Sequence, residues 1–595
     1  MKVMRPRGPD DENSWGNDCI SLGHTRLSII DLTSAGRQPM WNENKDIAII
    51  FNGEIYNFLE LKGELRTHHT YESRTDTEII LHAYEEFGFD CVERLNGMWA
   101  FAIYDMKKNI LFISRDRFGI KPLYYHWDDG KLIFSSEIKG ILELIVNPTP
   151  NDAVIFDFLT YSLTDHSRET FFEGINRVLP GENLILDLNS KVLKFVKWYD
   201  LNERVSKSAR DDDINTTIAE IKALFFDSIT HQLNADVPIG SCLSGGIDSS
   251  SIVCAIRKID AKRDLRTFSL IFPGEKIDES QFINIVIRDT NVQRNLTTIS
   301  EDEIIEDMDD LIYTQEEPFP TLSVYGQYKV MRMANRNKMK VLLDGQGADE
   351  IFCGYPRYVP IFLLESILSF DLWTVFSIIE RNRKNILSLI KNTIEFALED
   401  LSTSSLILKE ILLKRKKYVR IPQNLILNRK TYRSKISTRN EMIDDISLNC
   451  LPALLRYEDR NSMRWSIESR VPFLDHRLVE RAFFCPTKFK LLNGESKYAF
   501  RKSMDGIVAK RILERRDKIA FATPDNIWMK NGLISKYIEG IIGSQSFASR
   551  KYWNQKEVSI MLSKQKGGKR NFGGEIWRIV CTELWMRKFI DRSSN

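Results

Sequence analysis

The sequence predicts two differently built parts, an α+β half followed by an α/β half. Three observations predict this: short β-rich runs broken by turns up to about residue 186, strands alternating with helices from residue 214, and a polar, acidic stretch between them. At 595 residues the chain is too long for one hydrophobic core, so two or more domains are expected, each burying enough surface to fold alone.

In the first half the runs 48–51, 98–104, 110–114 and 131–134 read as strands. Residues 202–213 are charged and end in three aspartates, which suits an exposed linker. An amphipathic helix to about Leu233, an apolar strand at 237–243, a glycine-rich turn and a helix from Ser249 follow. Further strands at 267–272 and 340–343, separated by helical stretches, imply a parallel sheet. Residues 362–451 are rich in Leu, Ile and Lys and read as a helical elaboration without obvious chemistry.

Composition narrows the function. Apolar residues make up 43% and charged ones 28%, as in ordinary globular chains. A net charge of +2 argues against a dedicated nucleic-acid binder and for small substrates. The eight cysteines show no paired spacing, so neither a disulfide framework nor a cysteine zinc site is expected. No signal segment or membrane span is read, and cytoplasm is the expected location.

The strongest local signal is Leu243-Ser244-Gly245-Gly246-Ile247-Asp248-Ser249-Ser250, directly after an apolar strand and opening a helix. Two glycines let backbone N–H groups approach an anion, Ser244 and Ser249 add hydroxyl donors, and the helix N-terminus adds its positive end. The Walker ending Gly-Lys-Ser/Thr is absent. Asp248 in an anion cradle would repel phosphate unless a hard cation stood between them, so Mg²⁺ is expected there. Asp344-Gly345-Gln346-Gly347-Ala348-Asp349-Glu350 follows another strand; if the two strands are parallel neighbours, both loops open into one crevice and Asp349 is the second magnesium ligand. Taken alone, the first loop also reads as a turn with an N-cap.

Residues 244–249 resemble the motif of the PP-loop ATP pyrophosphatases. With residues 344–350, Glu317-Pro318-Phe319 and Ser469-Arg470-Val471-Pro472-Phe473-Leu474-Asp475, they resemble the glutamine-hydrolysing asparagine synthetase family. Arg7-Gly8-Pro9-Asp10, the stretch from Gly23 to Asp31, Phe51-Asn52-Gly53-Glu54 and Thr75-Asp76-Thr77-Glu78 resemble its glutaminase domain. The likeness runs from Arg7 to at least Pro524. It implies an N-terminal-nucleophile (Ntn) amidohydrolase sandwich over 1–200, a linker at 201–213 and an α/β PP-loop synthetase domain over 214–595.

The implied reaction uses ATP to adenylate a carboxylate, releases pyrophosphate and admits ammonia to the acyl adenylate, with aspartate the preferred acceptor. Leu243, Leu270, Asp344 and Gly345 would hold adenine and ribose; Ser244, Gly245, Gly246 and Ser249 pyrophosphate; Asp248 and Asp349 Mg²⁺. Lys497 would stabilise charge on the phosphates. Gln346 stands where some members carry a glutamate, and a glutamine cannot act as a general base. In the glutaminase part Arg26 and Asp76 would bind the carboxylate and ammonium of glutamine, Asn52 and Gly53 form an oxyanion hole, and Glu54 help hold the substrate. Asn52-Gly53 alone signals a hairpin turn.

The family's nucleophile is an N-terminal cysteine, and the start Met1-Lys2-Val3-Met4 offers none, so the glutaminase part is expected to lack its first strands and its nucleophile. Two explanations stand: an internal methionine taken as the start of a longer protein, which the retained glutamine-binding residues favour, or a truncated form using free ammonia. The resemblance also implies a possible homodimer and ammonia passing through the interior. Rival readings are amidation of a sugar carboxylate, a β-lactam-closing branch of the family, a non-catalytic protein on the same scaffold, and thiolation or tRNA modification by another PP-loop enzyme. The last lacks cysteine pairs and basic patches.

Overall fold

In this computed structural model the described residues are 1–65, 69–206, 213–403, 416–420, 436–516, 523–568 and 570–591. The first half is built on one antiparallel six-stranded sheet in the order β11-β10-β6-β5-β4-β3. Its strands are β3 (Met40–Trp41), β4 (Ile47–Ile55), β5 (Gly97–Asp105), β6 (Ile110–Arg115), β10 (Glu182–Asp187) and β11 (Val192–Lys197). β5 reads as an unbroken apolar run because both its faces are covered. Trp99, Phe101 and Ile103 face the helix α1 (Asp76–Phe87), while Ala100, Ala102 and Tyr104 face a second layer. To that layer belong the pair β1 (Asp11–Gly16) and β2 (Ser21–Arg26), and the sheet of β7 (Tyr124–Asp128), β8 (Lys131–Ser135) and β9 (Ile175–Arg177).

The second half holds a parallel sheet in the order β14-β13-β12-β15-β16. Its strands are β12 (Ile239–Cys242), β13 (Arg266–Leu270), β14 (Gln293–Thr297), β15 (Val341–Leu343) and β16 (Glu468–Arg470), all paired in parallel. The strand order reverses between β12 and β15, which opens a crevice at their carboxyl ends. Both strands feed the predicted loops.

The stretch 202–213, expected as an exposed linker, begins as a helix, α2 (Leu201–Ser206). Leu201 and Val205, four apart, supply a one-faced apolar stripe that buries in the main core. Residues 207–212 lie outside the described residues. Asp213 then caps α3 (Ile214–Gln232), accepting from Asn215 N at 2.7 Å and Thr216 N at 3.1 Å. Of the expected helical elaboration at 362–451, helices are described at Tyr358–Leu368, Leu372–Arg381, Ile386–Thr403 and Thr438–Asp444. Residues 404–415 and 421–435 lie outside the described residues.

The cores do not respect the division into halves, contrary to the expectation of separately buried domains. One cluster joins Ile29, Tyr56, Met98 and Phe118 to Ile239, Leu243 and Phe473; another joins Phe171 and Phe172 to Trp585 and Phe589. Helix α4 (Ile247–Ile259) packs under the crevice, and α5 (Leu451–Arg464) runs along the contact between halves. Helix α6 spans Tyr498–Ser503 and α7 spans Gly573–Phe589.

Buried ion pairs stitch the same boundary. Across it Arg7 reaches Asp459 at 2.6 Å, Arg456 reaches Asp165 at 2.9 Å and Arg470 reaches Glu54 at 3.0 Å, while Arg7 also holds Glu137 of its own half at 2.9 Å. Charges removed from water must be paired, and the guanidinium fork makes such pairs directional. Among the described residues no helix is long and apolar enough to cross a membrane.

Candidate active sites

The nucleotide cradle is built where β12 ends and α4 begins. Gly245 has φ 77°, a left-handed conformation that a side chain would strain, and a Cβ there would lie 2.8 Å from Phe282 Cβ. The hydroxyls of Ser244 and Ser249 are 3.1 Å apart, and Ser244 N donates to Ser249 Oγ at 3.1 Å. The loop thus keeps its donors ordered around the helix N-terminus.

The second loop meets the first. A Cβ on Gly345 would lie 3.1 Å from Asp248 Cβ, and Asp344 N donates to Arg470 O of β16 at 2.9 Å. Lys497, 1% exposed, sits between the two carboxylates assigned to magnesium: its Nζ is 2.6 Å from Asp248 Oδ1 and 2.8 Å from Asp349 Oδ1. An ammonium there stands in for a cation, so the donor set suits a hard divalent ion. Lys497 N donates to Phe352 O, and Gly354 has no side chain to interfere: a Cβ would fall 1.8 Å from Asp349 Oδ1 and 2.3 Å from Lys497 Cε. Leu243 is buried behind the loop, and Leu270 ends the neighbouring strand β13 at the same sheet edge.

Two residues at this site escaped the sequence reading. Arg515 donates to Gly245 O at 3.0 Å, pairs with Glu279 at 2.8 Å and lies 3.7 Å over the Phe282 ring. Glu458 of α5 accepts from Ser469 and lies against Asp344 and Gln346. Burial, reinforced by Asp344, raises its carboxyl well above the usual range, and burial raises Asp344 as well. No motif marked either residue: both sit in charged stretches that read as solvated faces until another element buries them.

Arg26, Asn52, Gly53, Glu54 and Asp76 line one cavity of 680 Å³ in the first half. The cavity extends to Met463 and Glu468 of the second half. Asn52-Gly53 is no turn here: both residues lie inside β4, opposite Ala100 and Trp99 of β5. Pairing with β5 carries the strand through, and glycine is needed because a Cβ would lie 2.0 Å from Met98 O. The Asn52 amide donates to Ser136 Oγ at 3.3 Å. The terminal nitrogens of Arg26 donate to the carbonyls of Thr33 at 2.7 Å and Asp31 at 2.5 Å, so a ligand carboxylate would share them. Glu54 is committed to Arg470. Asp76 accepts from Ile55 N at 2.8 Å, and burial pushes its carboxyl up to about 7.

Residues 220–587 match the family model for asparagine synthase, and residues 1–199 match the model for a glutamine amidotransferase domain. Asparagine synthetase [glutamine-hydrolyzing] 3 of Bacillus subtilis is 30% identical over 86% of this chain and 82% of its own length. Asparagine synthetase [glutamine-hydrolyzing] 1 of the same organism is 28% identical over 97% of this chain and 91% of its own. Amidase chyE of Penicillium rubens is 26% identical over 95% of this chain and 90% of its own length. The assignment needs no assumption about a truncated start. With a glycine-rich cradle at the sheet crossover and an amidotransferase domain before it, the chain belongs to the asparagine synthase family of ATP-dependent ligases.

Proposed function

We propose that the acceptor is aspartate, amidated to asparagine with nitrogen from glutamine or from ammonia. The observation that carries the ATP-dependent step is the Lys497 ammonium between Asp248 and Asp349, beside a phosphate cradle and facing the second glycine-rich loop; aspartate as acceptor rests on the similarity to the asparagine synthetases. Asp248 and Asp349 would hold Mg²⁺, which supplies charge neutralisation to the phosphate oxygens. Ser244, Ser249 and the backbone N–H groups of Gly245 and Gly246 would hold the leaving pyrophosphate. Lys497 would move from the carboxylates toward the phosphates as negative charge builds there, and Arg515 would keep the Gly245 turn in place. Gln346 can orient ammonia by hydrogen bonding but cannot take its proton.

In the amidotransferase half, Asn52 and the Gly53 N–H would form the oxyanion hole, and ionised Asp76 would pair with the α-ammonium of glutamine. Pyrophosphate release from ATP and Mg²⁺ tests the whole reading, with aspartate as acceptor and ammonia or glutamine as donor. Release with aspartate and ammonia is expected, and Asp248→Ala should abolish it.

A second acceptor deserves a parallel measurement, because Amidase chyE is nearly as similar to this chain as the asparagine synthetases are. Release with a uronic-acid sugar and none with aspartate would overturn the asparagine assignment.

A further inference from the structure

We propose that Glu43, His69, His82 and Glu85 form a binding site for one divalent transition-metal ion, with zinc best suited to the donor set. One ligand atom from each of the four lies within 4.8 Å of all the others. None of them lines the glutamine cavity, and none belongs to the nucleotide crevice. The residues come from three separate elements. Glu43 is in the turn between β3 and β4, His69 precedes α1, and His82 and Glu85 stand one turn apart on α1, where positions i and i+3 share a face.

The distances suit a compact site. His69 Nδ1 is 3.6 Å from Glu43 Oε1 and 3.7 Å from Glu85 Oε2, and His82 Nδ1 is 2.8 Å from Glu85 Oε2. Ligands of a tetrahedral zinc ion stand roughly 3.4 Å apart, given metal–ligand bonds of about 2.0–2.2 Å. Small side-chain rotations would close the set.

The outer contacts are those that hold metal ligands in orientation. His69 turns its other nitrogen, Nε2, to Glu86 Oε1 at 3.0 Å, which fixes the proton there and leaves Nδ1 as a lone-pair donor. Glu43 Oε1 accepts from Thr70 N at 2.8 Å, and Glu85 Oε1 accepts from Asn42 Nδ2 at 2.7 Å. The two imidazoles lie 4.2 Å apart at their centroids. His82 is 1% exposed, and its Nε2 has no hydrogen-bond partner among the described residues.

Glu43, Glu85 and Glu86 converge on two imidazoles, leaving negative charge that a cation would balance. Two imidazole nitrogens with two carboxylate oxygens favour zinc or cobalt over magnesium or calcium, which prefer all-oxygen shells. A bound ion would tie the β3–β4 turn and the segment before α1 to α1 itself, whose first residue is Asp76 of the glutamine cavity.

The test uses the full chain, stripped with EDTA and titrated with Zn²⁺ and, separately, Co²⁺. Expected are one equivalent bound, a tetrahedral cobalt spectrum and a rise in melting temperature with zinc. His69→Ala should remove all three, and Glu86→Gln should weaken binding about tenfold by loosening the His69 ring. Since His82 is buried and its variant could fail to fold, Glu43→Gln provides a second, exposed test and should weaken binding at least tenfold. Asp248→Ala must leave the titration unchanged, which separates this site from the nucleotide crevice. Absence of stoichiometric binding to the wild type, or equal affinity in His69→Ala, would overturn the proposal in favour of plain histidine–carboxylate contacts.

Discussion

Gly354 stands so close to Asp349 and Lys497 that a methyl group would occupy their contact. Gly354→Ala should therefore shift the ammonium without touching any substrate, lowering kcat for pyrophosphate release about 100-fold, as a displacement of roughly 1 Å typically does. Far-UV circular dichroism should be unchanged; an unaltered kcat would remove Lys497 from the chemistry. Asp76 gives a prediction in pH. Its folded value of about 7 exceeds the unfolded 3.8, so the fold favours the protonated acid below about pH 4 and loses that advantage as pH climbs to 7. The loss across that window is about 4 kcal/mol. Asp76→Asn keeps an acceptor for Ile55 N and cannot ionise, so its melting temperature relative to wild type should rise from pH 4 to 7 and then level off. A pH-independent difference would contradict the burial argument.

At the scale of elements, β4 carries Asn52 and Gly53, the proposed oxyanion hole, in a straight strand because β5 pairs with it on the side where Gly53 approaches Met98 O. Gly53→Ala should force the strands apart locally and cost about 1–3 kcal/mol, the usual range for overpacking, measurable by urea denaturation. The loops after β12 and β15 were legible because glycine, serine and aspartate after an apolar strand allow few structures. β14 and β16 were not. Gln293–Thr297 is a polar edge strand, and Glu468–Arg470 is three residues long with charges at both ends, held by Arg470's pairs with Glu54 and Glu468. Neither carries a periodicity of its own. In α5, Arg456, Glu458, Asp459 and Arg460 are all buried, although such a run reads as solvated until the facing half supplies Asp165, Arg7 and other partners. Asn52-Gly53 misled for a related reason: a turn signal is local, and the pairing that overrode it is not.

For the molecule as a whole, shared cores and buried pairs across the boundary imply that the halves unfold together. Calorimetry should show one transition rather than two. Arg470→Ala leaves Glu54 and Glu468 without their cation and should cost about 3–5 kcal/mol, lowering that one transition without splitting it. Two resolved transitions in the wild type would show that the halves are energetically separate.

Lys497 has a consequence for how nucleotide is loaded. Because an ammonium already balances part of the charge on Asp248 and Asp349, a metal bound by the two proposed ligands would not meet a bare acidic pair; it would trade places with a resident counter-ion. Loading would then be an ion exchange inside the protein, and added salt, which screens bare charges most, should slow or weaken it less than at an open acidic site.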